Sequence, residues 1–410
     1  AAAARRERGS LFGSDIGLER DRQMSAAATF APPLASWIKP RLDLASTFTF
    51  VRDPNARSLL RPRDTTFVDS IAVLPRRFGN TQTATVAAQL DVQSMVRVFW
   101  QRMRLLRAVS DAVTPIDLSV SRSLISAFDD ETFSPSLGYQ LALGGPTSFR
   151  SLRGRPATTA GQTNTMSAGS SLVLPFGFVF LPRYGLTTTR SWYRRTDNQQ
   201  DAIDGLQRDY PDLTLRWSFV AGQSGLSAIV GKAVRSVAAS AGARNTRVTA
   251  LTPQLGGAGD LRVSRIRVYP INATITWPFG DLSTTGGFSW SVRDDSLPGS
   301  ATHGFTNERS ADVGRSWKLP SSWNARSPLR TRLGWQEQRT KNALAGTARN
   351  LTDNGRRVFS LSADTDLNET MSFSIQGSRT GTIDRNYNRR FDQTVITAAL
   401  QLQFFSGPGH

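Results

Sequence analysis

The chain has 410 residues, 39% of them hydrophobic, a mean hydropathy of −0.31 and a formal net charge of +18. A helical membrane span needs about 20 apolar residues, and the best run, Leu172 to Leu181, is broken by Pro175 and Gly177. The absence of cysteine excludes disulfides and thiolate metal sites.

Residues 1–40 are expected to form an irregular lead-in. They open Ala1 to Arg8 without an initiator methionine or an apolar signal core, which suggests a truncated or processed start. Pro32, Pro33 and Pro40 interrupt any run, leaving no plausible closing strand there. Residues 41–130 open a first set of strands, in which Leu42, Leu44, Ser46, Phe48 and Phe50 alternate with Arg41, Asp43, Thr47 and Thr49. A second run, Val86 to Trp100, is mostly apolar on its even positions. Ser94 to Val113 mixes alternation with a basic helical spacing (Arg97, Arg102, Arg104, Arg107), and both readings stay open.

Residues 131–410 continue the period-two pattern. Leu213, Leu215, Trp217 and Phe219 oppose Thr214, Arg216 and Ser218; Leu329, Leu333 and Trp335 oppose Arg330 and Arg332. Met371, Phe373 and Ile375 form another such face, and Ile396, Leu400, Leu402 and Phe404 the last. Aromatics recur near strand ends, at Trp100, Trp192, Trp217, Trp277, Trp317 and Trp335, as interfacial girdles require. The polar stretches Arg194 to Tyr210, Arg293 to Asp312, Glu337 to Arg357 and Ser378 to Arg390 are expected to be long loops, and Gly225 to Ser236 a short amphipathic helix.

A soluble sandwich would alternate in the same way. Strand length, aromatic placement and the polar connections favour an all-β, antiparallel transmembrane β-barrel segment of a Gram-negative outer membrane. In such a wall Leu213, Leu215, Trp217, Phe219, Ile396, Leu400 and Leu402 face lipid. Arg216, Arg267, Arg330 and Arg332 line the lumen, where they could steer anionic segments; ordinary polar exposure is the equal alternative.

Little else points to chemistry. His303, in an expected loop, and His410 are isolated, so neither a triad nor a metal site has its material, and no enzyme or cofactor is expected. Asp364 to Glu369 and Asp384 to Arg389 begin like calcium loops but lack the glycine and the final glutamate. Both read as turns. Gly256 to Asp260 lacks the lysine of a phosphate loop. Asp129-Asp130-Glu131 and Asp294-Asp295 read as solvated loop charge. Nucleic acid is not an expected partner, because only Lys39, Lys232, Lys318 and Lys341 of the 50 basic residues are lysines. The arginines are scattered, and no ribonucleoprotein or zinc-finger motif occurs.

Several local patterns, in their order, resemble the carboxy-terminal part of the SprA (Sov) family. They are Phe133-Ser-Pro135-Ser-Leu-Gly138-Tyr139, Tyr210-Pro211-Asp-Leu213 with Trp217, and Gly231-Lys232-Ala-Val-Arg235-Ser236. Arg265-Ile-Arg-Val-Tyr-Pro270 with Trp277, and Val358 to Asp364 before the terminal aromatic strand, complete the series. The resemblance spans roughly residues 132–405; arginine is more abundant than that family's pattern, and full members are several times longer. It implies an incomplete part of a very large barrel that conducts proteins in type IX secretion, a system also linked to gliding motility. Its implied partners are outer-membrane lipid, secreted cargo proteins, other secretion-system subunits and missing amino-terminal strands of the same protein. A barrel for small solutes or lipids, and a soluble basic sandwich that binds polyanions, are the alternatives.

Overall fold

The structure is a computed structural model. It describes residues 9–11, 14–17, 19–52, 76–99, 110, 112–131, 133–222, 233–254, 257–279, 281–320, 327–347, 350–367 and 370–402. The first elements are β1 (Gly9–Leu11), β2 (Ser14–Gly17), β3 (Asp21–Phe30), β4 (Ile38–Arg52), β5 (Arg76–Leu90), α1 (Val92–Phe99) and β6 (Ile116–Glu131). Two short helices follow, α2 (Leu137–Gln140) and α3 (Pro146–Arg150), then β7 (Ser151–Leu152), β8 (Arg155–Pro156), β9 (Thr159–Gly169) and β10 (Leu172–Leu174). After a 3-10 turn at Pro175–Gly177 come β11 (Phe178–Arg194), β12 (Gln200–Val220), β13 (Ser236–Gln254), β14 (Gly257–Thr276) and β15 (Ser283–Leu297). The series ends with β16 (Ser300–Trp317), β17 (Leu329–Leu344), β18 (Asn350–Asp366), β19 (Met371–Asp384) and β20 (Arg389–Leu402).

Sixteen strands form one sheet: fifteen, β20 back to β11 and then β9, β6, β5, β4 and β3, follow the chain, and the short β10 pairs with β11 off this path. Every pairing is antiparallel. The fold is therefore the expected all-β antiparallel barrel segment, built as an up-and-down meander. Among the described residues only two-stranded pieces lie outside this sheet, so no second sheet is present to complete a sandwich. The path ends at β3 and β20, each with one partner among the described residues.

Several expectations are corrected. Residues 21–30 are not irregular: β3 pairs along its length with β4, from Asp21–Val51 to Phe30–Leu42. The sheet itself runs on continuously from β6, which spans Ile116–Glu131, to β9. The run from Val86 to Trp100 is not one strand. It breaks at Asp91, whose carboxylate accepts from the Ser94 backbone N–H (3.1 Å) and hydroxyl (2.8 Å) and so caps α1. Helix is thus the observed state for Val92–Phe99. Trp100, most of 100–113, most of Gly225 to Ser236 and Phe404 lie outside the described residues.

The four polar stretches are not loops. They are the far halves of long hairpins, closed by tight turns. Leu297 pairs with Ser300 across Pro298-Gly299, where Gly299 takes φ +80° at no steric cost. At the β19–β20 turn Asp384 Oδ1 accepts from the Asn386 and Tyr387 backbone N–H groups (3.0 and 3.3 Å), and Asn388 takes φ +52°. Charge misled the reading because a strand exposed on both faces beyond an apolar band is polar on both.

The packed core lies at one end of the sheet. Phe48, Phe50, Phe78, Phe128, Ala160 and Trp192 project from β4, β5, β6, β9 and β11, and Tyr139 of α2 closes over them. Phe78 stacks on Phe128 (5.1 Å), and Tyr139 meets Phe48, Phe78 and Phe128 edge-on (6.2, 5.8 and 5.8 Å). The Tyr139 hydroxyl bonds Ser126 (2.6 Å), and burial pushes its pKa up. Glu131, expected as solvated charge, is 1% exposed and held by Arg155 (3.0 Å) and Arg194 (2.9 Å).

Candidate functional site

Side chains on directly paired residues share a face, so the pairing registers sort the whole sheet into two faces. One face carries Leu213, Leu215, Trp217 and Phe219 of β12. Its pairings continue to Ala243, Ala241, Ala239 and Val237 of β13, then to Ile271, Ala273 and Ile275 of β14. Phe288, Val313, Leu333, Leu361, Ile375, Leu400 and Leu402 extend it across β15 to β20. On β4 to β11 the same face shows Leu42, Val86, Val120, Met166 and Leu186. Many of these are bare: Val86 is 56% exposed, Leu361 56% and Ile396 74%.

The other face is mainly small and polar, with Val179, Leu181, Val268 and Val358 among the exceptions. It carries Thr214, Arg216 and Ser218, then Ser240, Asn272, Gly287, Ser310, Gln336, Ser362, Gln376 and Thr397. One face is suited to hydrocarbon and the other to water.

The apolar face is a band of limited height, and the band crosses the hydrogen-bonded rows obliquely. One row runs Leu42, Val86, Val120, Met166, Leu186, then Arg208, Arg247, Arg265, Asp294 and His303. It begins apolar and ends charged. Lower down, Phe219, Val237, Ile275, Thr284, Val313, Leu333, Leu361, Gly377 and Ile396 form a row without charge. Strands tilted through a horizontal apolar slab produce such a drift, because closing a barrel requires tilt and stagger. On β12 the aromatics Tyr210 and Trp217 to Phe219 bracket the band, and Tyr269 on β14 and Trp277 just past its end do so too. Both intervals are near the 9–11 residues of a spanning strand.

Aromatic contacts reinforce both rims. Tyr184 meets Tyr210 (6.0 Å) and Tyr269 meets Trp290 (5.4 Å) on one rim, while Phe178 stacks on Trp217 (5.7 Å) on the other. Beside Tyr210 the sheet carries a bulge, where β12 has one more residue than β11 and β13. The bulge transfers the apolar face from the odd residues of lower β12 to Leu206 and Arg208 above it.

The strand register puts Arg216 of β12 and, five strands away, Arg330 and Arg332 of β17 on the polar face. Arg332 pairs with Asp312 (3.2 Å), and Arg330 stands opposite Asp364. Arg267 is a correction. It shares its face with Tyr269 and Ile271, opposite to Arg216, and ion-pairs with Asp294 (2.7 Å). An odd position on β14 pairs through β13 to the odd positions of lower β12, and Arg267 is odd. Phe219 is on the apolar face with Leu213, Leu215 and Trp217 but is 3% exposed, packed at the strand end against Trp217 (6.5 Å). Leu215, Leu400 and Leu402 are open, at 38, 55 and 49%.

His303 and Asp294-Asp295 are not loop residues. His303 Nδ1 lies 2.5 Å from Asp294 Oδ1, and Asp295 pairs with Arg293 (2.7 Å). No group of metal-ligating side chains occurs among the described residues. Features that escaped the sequence include the adjacency of Arg208, Arg247 and Arg265 and the burial of Glu131. Both depend on residues far apart in the chain, so only the strand register reveals them.

No known family matches the chain, and no curated relative does. Among solved structures it is similar to a point mutant of the ferric enterobactin receptor PfeA from Pseudomonas aeruginosa, with a TM-score of 0.42 and 9% identity. The match covers 93% of this chain and 70% of that one.

Proposed function

We propose that the chain is a section of the wall of an outer-membrane β-barrel that conducts proteins, of the SprA type. The observation that carries the membrane part is the oblique apolar band on one face of a sheet whose other face is mainly Ser, Thr, Gly, Asn, Gln and Arg. A sheet with lipid on one side and an aqueous lumen on the other needs that division.

On this reading the band Leu213 to Phe219 through Leu402 meets outer-membrane lipid. Arg216, Arg330 and Arg332 line the aqueous path and steer acidic segments of secreted cargo. The edges of β3 and β20 pair with further strands of the same protein, because an unpaired backbone group in hydrocarbon costs several kcal/mol. Other secretion-system subunits complete the pore. The secretion role rests on the motif resemblance.

Detergent partition tests the membrane part: a chain that stays soluble and monodisperse without detergent overturns it. Deleting the gene in its host tests the transport part. Loss of surface-protein export supports the proposal. Unchanged export with altered uptake of small solutes assigns the wall to a solute barrel instead.

A further inference from the structure

Three arginines stand abreast on the apolar-banded face, where the band ends. Arg208, Arg247 and Arg265 are direct partners on β12, β13 and β14, so their Cβ atoms are roughly 4.5–5.5 Å apart. Like charges placed directly opposite repel, and all three side chains are exposed. The next residue in the row is Asp294, but its oxygens are already taken by Arg267 Nη2 (2.7 Å) and His303 Nδ1 (2.5 Å). No carboxylate among the described residues pairs with any of the three.

Their surroundings define what would neutralise them. In one direction the row continues into Leu186, Met166 and Val120. Along the strands towards the band lie Tyr210 on β12 and Tyr269 on β14, both on the same face. Arg265 is oriented by Asn245, whose Oδ1 accepts from Arg265 Nε (3.0 Å) while its Nδ2 donates to the Tyr210 carbonyl (2.7 Å). A ligand here meets three forked cations above an aromatic rim and, below the rim, Ala243, Ala241 and Ile271. Guanidinium forks match phosphate oxygens two at a time.

We propose that Arg208, Arg247 and Arg265 form a binding site for the phosphate headgroup of an anionic membrane lipid, whose acyl chains lie along the apolar band. The proposal rests on the membrane reading above. It adds a fixed lipid position on the outer surface of the wall, where the arginines complement the headgroup charge.

The test is a titration of the full chain, purified in neutral detergent, with fluorescent phosphatidic acid and with phosphatidylcholine. The variants are Arg208→Gln/Arg247→Gln/Arg265→Gln and, as a control on the opposite face, Arg330→Gln/Arg332→Gln. Circular dichroism checks that each variant keeps the β-sheet signal, and the single variant Arg247→Gln serves if the triple variant does not fold. The unaltered chain is expected to prefer phosphatidic acid by about ten-fold or more, on the scale of charge-assisted phosphate bonds at 1.4 kcal/mol per decade. The triple variant loses that preference, Arg247→Gln weakens it, and the opposite-face variant keeps it. Equal affinity for both lipids, or equal loss in both multiple variants, overturns the site. Millimolar inorganic phosphate is the second arm: full competition would make this a free-anion site and overturn the lipid assignment. Failure of the membrane reading looks different, since the chain would then need no detergent and bind neither lipid.

Discussion

The first and last thirds of the sheet share one face and treat its far end in opposite ways. In β4 to β11 the residues beyond the apolar band are aromatic, and the chain folds back over them through α2 and α3. In β15 to β20 the corresponding zone is charged and mostly open, with Arg309, Arg339, Arg357, Arg379 and Arg390 exposed on the strands. Both solutions keep apolar surface away from water. One covers it, and the other never places it there. The comparison teaches that the height of the wall exceeds the height of its apolar band. What lies above the band is therefore local chemistry, with no part in crossing a membrane.

The largest expected effect breaks the covered region. Phe128 is fully buried between Phe78 and Tyr139. Phe128→Ala removes a large ring from a site that cannot collapse, so a loss of about 3–5 kcal/mol is expected. Guanidinium unfolding of the detergent-solubilised chain measures it. Phe391→Ala in β20, where the ring is 62% exposed, is expected to shift the midpoint little; equal shifts would mean that the two regions do not differ.

The next effect lies within the band. Leu215→Arg puts a cation within the apolar band, at an expected cost of about 2–4 kcal/mol near the midplane if that band meets lipid. Arg216→Leu, one residue on and on the other face, is expected to be close to neutral. Folding yields into phosphatidylcholine vesicles compare the two, and equal yields would sink the assignment of faces.

How much of this was legible in the sequence follows from where the information sits. Alternation at Leu213 to Phe219, Met371 to Ile375 and Ile396 to Leu402 is local, so the strands and their apolar faces could be read. Hairpin ends could not, because polar residues on both faces erase the period that marks a strand. The placement of Arg267 failed for a different reason. Nothing near β14 records the face of β12, and the bulge at Tyr210-Pro211 reverses the parity partway along β12. Lipid-facing Phe219 failed through burial, which depends on neighbours in space. The cluster under Tyr139 was invisible likewise, although the Phe133 to Tyr139 motif drew notice for its resemblance.

The smallest expected effect sharpens the same comparison through two carboxylates. Glu131 and Asp353 are each bracketed by two arginines, Arg155 and Arg194 in one case, Arg339 and Arg385 in the other. Glu131 is 1% exposed, beside the covered cluster, and Arg194 also donates to the Pro156 and Asp129 carbonyls (both 3.3 Å). Glu131→Gln leaves a mostly buried guanidinium short of charge, and the expected loss is about 1–3 kcal/mol, nearly independent of salt. Asp353 is itself buried, at 5% exposure, but both of its partners are open, Arg339 at 45% and Arg385 at 36% exposed. Water reaches both partners there, so Asp353→Asn is expected to cost about 1 kcal/mol or less. That smaller loss is expected to shrink as salt rises from about 0.05 to 0.5 M, since exposed pairs are screened over a few ångströms at high ionic strength. Unfolding midpoints of the two variants at both salt concentrations decide the matter. A salt-sensitive Glu131 would mean that the fold-back segment leaves its ion pair open to water, and the distinction between the covered and bare ends of the wall would then be lost.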